Sequence, residues 1–142
     1  MTKYRLTLCA LTVVALTQAG CATHVESLPL APVATRTAPS DVALFFGSQP
    51  HPAVQSQLGE SSYSVRIART TMGPEDACNE ALKEALEKLV ADARSHHANA
   101  VINVTTRFHN NESNSPTEFA CGLSTSAAAI AVRGDRVVLQ TN

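Results

Sequence analysis

The chain has 142 residues, which allows one small domain with accessory segments. Its formal net charge of -1 argues against a nucleic-acid-binding protein, because such a protein needs a clustered basic surface. Aromatic residues make up 4% of the chain and Trp is absent, which disfavours a large aromatic ligand cage or a base-stacking platform.

Residues 1–20 have the order of a secretory signal peptide. Lys3 and Arg5 form a positive start, and residues 6–16 form an apolar run. That run is far shorter than the roughly 20 residues of a membrane-spanning helix. Small residues then lead into Cys21. The order predicts export, so the segment is excluded from reasoning about the fold.

The stretch Gln18-Ala-Gly-Cys21 resembles the bacterial lipobox, in which small residues precede a Cys that becomes lipidated and forms the mature N-terminus. Gln18 departs from the motif, which favours Leu there. The resemblance implies that acyl chains on Cys21 anchor the protein, and several chains on one residue give stable membrane attachment. Ala22, in place of Asp, implies delivery to the periplasmic face of the outer membrane. The alternative is ordinary cleavage after Ala22, with Cys21 discarded.

Residues 21–41 are predicted to consist of the lipidated Cys21 and a Pro-rich tether that leads from it to the domain. Pro29, Pro32 and Pro39 interrupt the segment, and it has neither a 3.6-residue nor a 2-residue period. Such a composition favours extended backbone. Some 20 residues of it would reach roughly 65 Å from the anchor. A specific binding segment is the alternative.

Residues 42–142 predict one α+β periplasmic domain, with a small antiparallel sheet and one long helix packed on one face. The apolar run Val42–Phe46 predicts a first strand. Tyr63–Arg69 alternates between apolar and polar residues, which is typical of a half-buried strand. Gly59–Ser62 is expected to form the turn before it.

The longest 3.6-residue pattern in the chain begins at Pro74 and predicts the helix. Glu75 and Asp76 place negative charge at its N-terminus, where the helix dipole favours it. Charged residues occupy one side, on which Glu84 and Lys88 form an i,i+4 pair. The opposite side carries an apolar stripe: Cys78, Leu82, Ala85, Leu86, Leu89 and Ala93.

The period changes to two from Asn99, which predicts a strand to Phe108. A polar loop over 109–116 and a further strand over 117–123 follow. Gly134-Asp135 predicts a hairpin between two later strand segments, and we interpret the tripeptide Arg133-Gly-Asp135 as that turn, with an adhesion signal as the alternative. In the predicted strand from Asn99 to Phe108, one face is expected to hold Ala100, Ile102, Val104, Thr106 and Phe108.

The chain has four cysteines, of which Cys9 belongs to the signal peptide and Cys21 is the lipidation candidate. Cys78 lies on the apolar stripe of the helix, and Cys121 lies on the apolar side of a strand. In an oxidising compartment this placement predicts a disulfide between helix and sheet. Two buried free thiols are the alternative, and a redox-active pair would require a Cys-x-x-Cys motif that the chain lacks.

Motifs for a P-loop, a Gly-x-Ser-x-Gly nucleophile and a His-Glu-x-x-His zinc site are absent, so we expect no nucleotide, cofactor or enzymatic activity of these classes. On a helix, the neighbours His96 and His97 would point about 100° apart and could not easily share a metal ion. A weak metal or small-ligand site is the alternative to surface histidines. Its candidate ligands are His51, His96, His97, His109 and Glu112.

Several segments resemble a family of small proteobacterial envelope proteins often labelled "excinuclease ATPase subunit". The label implies an ATPase with zinc modules. Because the chain has neither a P-loop nor the cysteines for zinc, we expect the label to be wrong. The segments that carry the resemblance are Phe46-Gly-Ser-Gln-Pro-His-Pro-Ala-Val54, Cys78, Ala98-Asn-Ala-Val101 and Thr117-Glu-Phe-Ala-Cys121.

A second set of segments is similar to the outer-membrane lipoprotein sensor of the Rcs envelope-stress pathway: Cys21, the Pro-rich spacer over 22–41, Cys78, Ala98-Asn-Ala-Val101 and Ala120-Cys-Gly122. That resemblance implies a lipid anchor, a tether, a small α+β domain held by disulfides and a signalling role. The sensor uses two disulfides, whereas this domain can make one. The helix followed by Ala98–Val101 is similar to a family of small cytoplasmic domains described as heavy-metal-binding.

Together these features predict a lipid-anchored periplasmic module without enzymatic activity. We expect it to contact another envelope protein, with envelope-stress sensing as one such role. We expect no nucleic-acid or nucleotide partner. A metal- or small-ligand-binding domain is the alternative, and an enzyme is a third.

Overall fold

The computed structural model describes residues 22–34 and 40–141. The predicted signal peptide and the lipidation of Cys21 therefore lie outside the described residues. In chain order the elements are β1 (His24–Pro29), α1 (Ala31–Ala34), β2 (Ala43–Phe46), β3 (Val54–Ala68), α2 (Pro74–Ser95), β4 (Ala100–Phe108), β5 (Asn111–Ser113), β6 (Glu118–Leu123) and β7 (Ala127–Leu139).

The described strands form one seven-stranded sheet with the order β1-β6-β7-β4-β2, in which β3 also pairs with β7 and β5 with β4. The prediction of sheet plus one long helix is confirmed, but the sheet is larger than expected and curled. It is also mixed, since β2 runs parallel to β4. The long strand β7 lies at the centre of the curled sheet. One edge of β7 pairs first with β6 and then with β4, and the other edge pairs with β3.

Helix α2 covers one face of the sheet and contacts β3 and β7. It begins at the predicted Pro74, and Lys88 Nζ lies 3.0 Å from Glu84 Oε1, which confirms the predicted pair. No helix among residues 22–34 and 40–141 is both long enough and apolar enough to cross a bilayer. The whole predicted apolar stripe is buried: Cys78, Leu82, Ala85, Leu86, Leu89 and Ala93.

The prediction of a spacer over 21–41 is wrong for residues 24–34. His24–Pro29 pairs with β6 along its full length, and the short helix α1 follows. Leu30 and Val33 are buried, with 6% and 1% of their surface exposed. The segment lacks a strand period of its own, and its order comes from backbone hydrogen bonds to β6. Pro29 is tolerated because it ends an edge strand.

Strand β4 does not keep one face toward the helix. Asn103 has a positive φ of 52°, and the pairing with β7 shifts between Ile102 and Thr105. This bulge reverses the side-chain phase. Val101 and Val104 therefore pack in the main core beneath α2, whereas Ile102 belongs to a second cluster with Ala100, Val137 and Leu139. The predicted single face of this strand is wrong.

The two predicted turns at glycines are also wrong, because both positions lie inside long strands. β3 runs through Gly59, which has a φ of 89° beside an irregular register. β7 runs through Gly134, where an added Cβ would lie 2.5 Å from Val101 Cγ1. Gly134 therefore allows β4 to approach closely rather than forming a hairpin. Arg133 and Asp135 are strand residues on either side of it.

Candidate functional site

The predicted disulfide is present. Cys78 in the first turns of α2 and Cys121 in β6 are joined with their Cα atoms 6.0 Å apart, and both residues are fully buried. The bond closes a loop with a sequence separation of 43 residues. In the chain-entropy model a loop of that length stabilises the folded state by about 4 kcal/mol. The disulfide therefore fixes the start of the helix to the sheet.

The sheet face opposite α2 carries an open cavity of about 500 Å³. Arg66 on β3 pairs with Ala129 of β7, and Arg107 on β4 pairs with Ala131. Directly paired residues, and residues two apart in a strand, project from the same face. The two arginines therefore flank a floor of alanine methyl groups. We call this surface the arginine trough, and it is completed by Ser64, Phe108, His109 and Asn110.

Neither arginine of the trough has a charged partner among the described residues. Glu112 pairs directly with Arg107 across β4 and β5, but its carboxylate accepts a hydrogen bond from Arg133 at 3.0 Å. Arg133 also lies 3.8 Å from Glu60. Glu112 and Glu60 are thus both engaged by a third arginine. Two uncompensated positive charges remain in the trough.

One wall of the trough is formed by the turn after β4. His109 has a positive φ of 51°, and its ring meets the ring of Phe108 edge-on, with centroids 4.2 Å apart. The Phe108 ring occupies the space above Gly122, where an added Cβ would come within 2.3 Å of it. A glycine is needed at this position because a Cβ would collide with the Phe108 ring.

A second polar cluster joins the end of α2 to the sheet. Asp92 accepts hydrogen bonds from Ser61 and, at 3.0 Å, from Arg136 Nη1. The side chains of Arg136 and Asp92 are only 13% and 17% exposed. His96 Nδ1 lies 3.6 Å from the other carboxylate oxygen. The acceptor of Ser61 is a carboxylate rather than an imidazole, so the arrangement is a helix–sheet link and not a Ser–His pair.

The pKa values of this cluster follow from its contacts. Burial raises the pKa of Asp92, but the hydrogen bonds from Ser61 and Tyr63 and the charge of Arg136 outweigh burial and hold it below its usual value. Burial, followed by the hydrogen bond to Asp92, raises the pKa of Tyr63. The carboxylate is therefore charged and the phenol neutral at neutral pH.

The predicted alternative ligands lie in separate settings. His51 packs against Phe45, and its Nδ1 atom interacts with the carbonyl oxygen of Pro52. His96 lies beside Asp92, and Glu112 pairs with Arg133. His97 follows the helix with a φ of 59°. Residues 22–34 and 40–141 contain no group of three or more His, Cys, Asp or Glu side chains placed to share a metal ion.

A smaller cavity of about 330 Å³ lies between α1, β2 and α2. Its lining is largely apolar and includes Leu30, Val33, Phe46, Leu86 and Val90. None of its lining residues carries a charge. This cavity exists because residues 24–34 are part of the domain and supply one of its sides, so the prediction of a spacer does not include it.

The arginine trough was also missed from the sequence. The alternation of apolar and polar residues places Arg66 and Arg107 on the polar sides of their strands, and both residues are exposed. What the sequence did not reveal is that both flank the same part of β7, since that requires the register of three strands.

Comparison of the chain with protein-family models, with curated proteins and with solved structures gives no match.

Proposed function

We propose that this protein is a lipid-anchored module of the bacterial periplasm that acts by contacting another envelope protein and not by catalysis. The observation that carries the proposal is the buried disulfide between Cys78 and Cys121, in a domain whose first strand begins at His24. Disulfides of this kind persist in oxidising compartments and are rare in the cytosol. The lipobox-like Cys21 stands three residues before that strand.

The character of the polar groups supports a contact function. Among residues 22–34 and 40–141, the most buried charged pair is Asp92 with Arg136, and it holds α2 to the sheet. The free charges lie on open surfaces instead. By resemblance to the lipoprotein sensor of the Rcs pathway, the contact would report envelope stress. Fold and anchor alone do not specify the signal, so this role is proposed by analogy.

Two measurements on protein extracted from membranes test the proposal. The mass of the N-terminal peptide is expected to match an acylated Cys21. Crosslinking in intact cells, followed by affinity capture with the anchor in place, is expected to recover an envelope protein. A mature N-terminus without acyl chains would refute the anchor. An absence of any crosslinked partner, together with an unchanged envelope-stress response after deletion, would refute the contact role.

A second candidate function is binding of a small apolar ligand, and the cavity beside Leu86 and Val90 favours it. Pockets of this kind are lined mainly by apolar side chains. A thermal-shift series with short-chain fatty acids tests this candidate. A melting temperature that stays constant across the series would count against it, and a parallel series with zinc and copper tests the metal-binding alternative.

A further inference from the structure

The position of β1 limits how far the domain can stand from its proposed anchor. Only residues 22 and 23 separate Cys21 from His24, the first residue of the sheet. At the maximum extension of a chain, His24 lies within about 11 Å of Cys21. An acylated Cys21 would therefore hold the sheet against the bilayer surface. The inference below rests on the proposed anchor.

A continuous row of paired residues leads from this end of the chain to the arginine trough. Val25 pairs with Gly122, Gly122 with Ala129, and Ala129 with Arg66. Paired residues project from one face, so Val25 and Arg66 share the sheet face opposite α2. With three strand spacings between them, they are about 14 Å apart. Val25 is 37% exposed, and among the described residues it is the one large hydrophobic side chain that lies on the open surface.

The trough itself has the chemistry of an anion site. From the register, the Cα atoms of Arg66 and Arg107 are about 12 Å apart across β7. The two arginines line the trough together with Ala129, Ala131 and Ser64. A guanidinium group can bind two oxygens of one phosphate with two parallel hydrogen bonds. Large side chains on the floor would keep a lipid headgroup from entering between the two arginines.

The opposite side of the molecule, formed by α2, carries more negative than positive side chains. The exposed surface of α2 holds Glu75, Asp76, Glu80, Glu84 and Glu87 against Lys83, Lys88 and Arg94, and Arg94 is paired with Asp41. An anionic membrane therefore attracts the trough side and repels the helix side. Each basic group near such a surface strengthens attachment about fivefold.

We propose that the arginine trough binds the phosphate groups of anionic phospholipids in the leaflet that holds the lipid anchor. Arg66 and Arg107 contact the phosphates, and Val25 enters the interface between the trough and Cys21. The bound domain lies with the outer face of its sheet on the membrane. Helix α2 then faces the periplasm, where a protein partner can reach it.

The test uses the mature protein, extracted from membranes and reconstituted into vesicles of phosphatidylethanolamine alone or with phosphatidylglycerol. Phenylglyoxal modifies free guanidinium groups, and mass spectrometry reports the rate at each arginine. In the anionic vesicles we expect modification of Arg66 and Arg107 to slow about fivefold or more. Arg94 serves as the internal control, because it is bonded to Asp41 at 2.6 Å and lies on α2.

Matched variants separate the trough from general electrostatics. Arg66→Gln with Arg107→Gln removes two positive charges from the trough, and Lys83→Gln with Lys88→Gln removes two from the helix surface. Phosphatidylglycerol should slow hydrogen exchange in the Phe108–Asn110 turn of the native protein and of the lysine variant. It should have no effect on the arginine variant.

The outcomes are distinguishable from a failure of the anchor, since the acyl mass of Cys21 is measured on the same sample. Acylated protein whose two arginines react at equal rates in both vesicles would overturn the lipid assignment. So would protection found in native membranes but not in phosphatidylglycerol vesicles, because that result assigns the trough to an acidic protein segment. Unacylated protein that is still protected by phosphatidylglycerol would overturn the anchor and support the trough.

Discussion

Replacing both Cys78 and Cys121 with alanine should lower the free energy of unfolding by about 5 kcal/mol. The loop they close, with a sequence separation of 43 residues, accounts for about 4 kcal/mol through the entropy of the unfolded chain. Loss of two fully buried sulfur atoms leaves a void that adds about 1 kcal/mol. Since small domains have a total stability of about 5–15 kcal/mol, the variant should be close to unfolding at 37 °C.

The assay is urea denaturation of native and variant protein in oxidising buffer, with reduced native protein as a third sample. Because the disulfide restrains the unfolded chain, both disulfide-free samples should show a steeper dependence on urea as well as a lower midpoint. A loss below about 1 kcal/mol in the variant would contradict the loop-closure reasoning. Titration of thiols in denatured, unreduced native protein verifies that the bond is present at the start.

Three further changes test the fold and the polar cluster by the same denaturation assay. Leu30→Ala should cost about 2–3 kcal/mol, because the residue is 6% exposed; a true spacer would show no loss. Gly134→Ala should cost about 2 kcal/mol because its Cβ would meet Val101, whereas Gly73→Ala, with its nearest neighbour 3.9 Å away, should be close to neutral. Equal effects of the two glycine changes would contradict the close approach of β4. Asp92→Asn should cost about 2 kcal/mol at pH 7, and a smaller cost at pH 7 than at pH 3 would contradict its assigned role. The folded pKa of Asp92 lies below its ordinary value of 3.8, so its contribution is present above that pH and is lost as the pH falls through the folded pKa.

Helix α2 and the disulfide were predictable because their signals are local. The 3.6-residue period holds from Cys78 to Ala93 without interruption, and the phase of that stripe and of β6 places both cysteines toward the same core. Where one period runs undisturbed through an element, the sequence determines which side is buried.

The errors occur where order depends on a partner strand. The sequence of residues 24–29 shows no strand period, and the segment becomes a strand by pairing with β6, with Leu28 packed against the core. A bulge at Asn103 reverses which side chains of β4 face the main core. The pair Gly134-Asp135 is typical of a turn, but Gly134 lies inside β7 and allows Val101 of β4 to approach closely. The arginine trough depends on two registers at once. Each of these features requires knowledge of non-local pairing.

The pairing of β1 with β6 also determines how the domain bears mechanical load. A pulling force along the N-terminal segment enters β1 and is shared by its six residue pairs with β6. Cys121 stands opposite Glu26 within that pairing, and its covalent bond passes the load directly into α2. The backbone hydrogen bonds between β1 and β6 are therefore expected to break first under tension. After β1 has separated, the disulfide still joins α2 to β6.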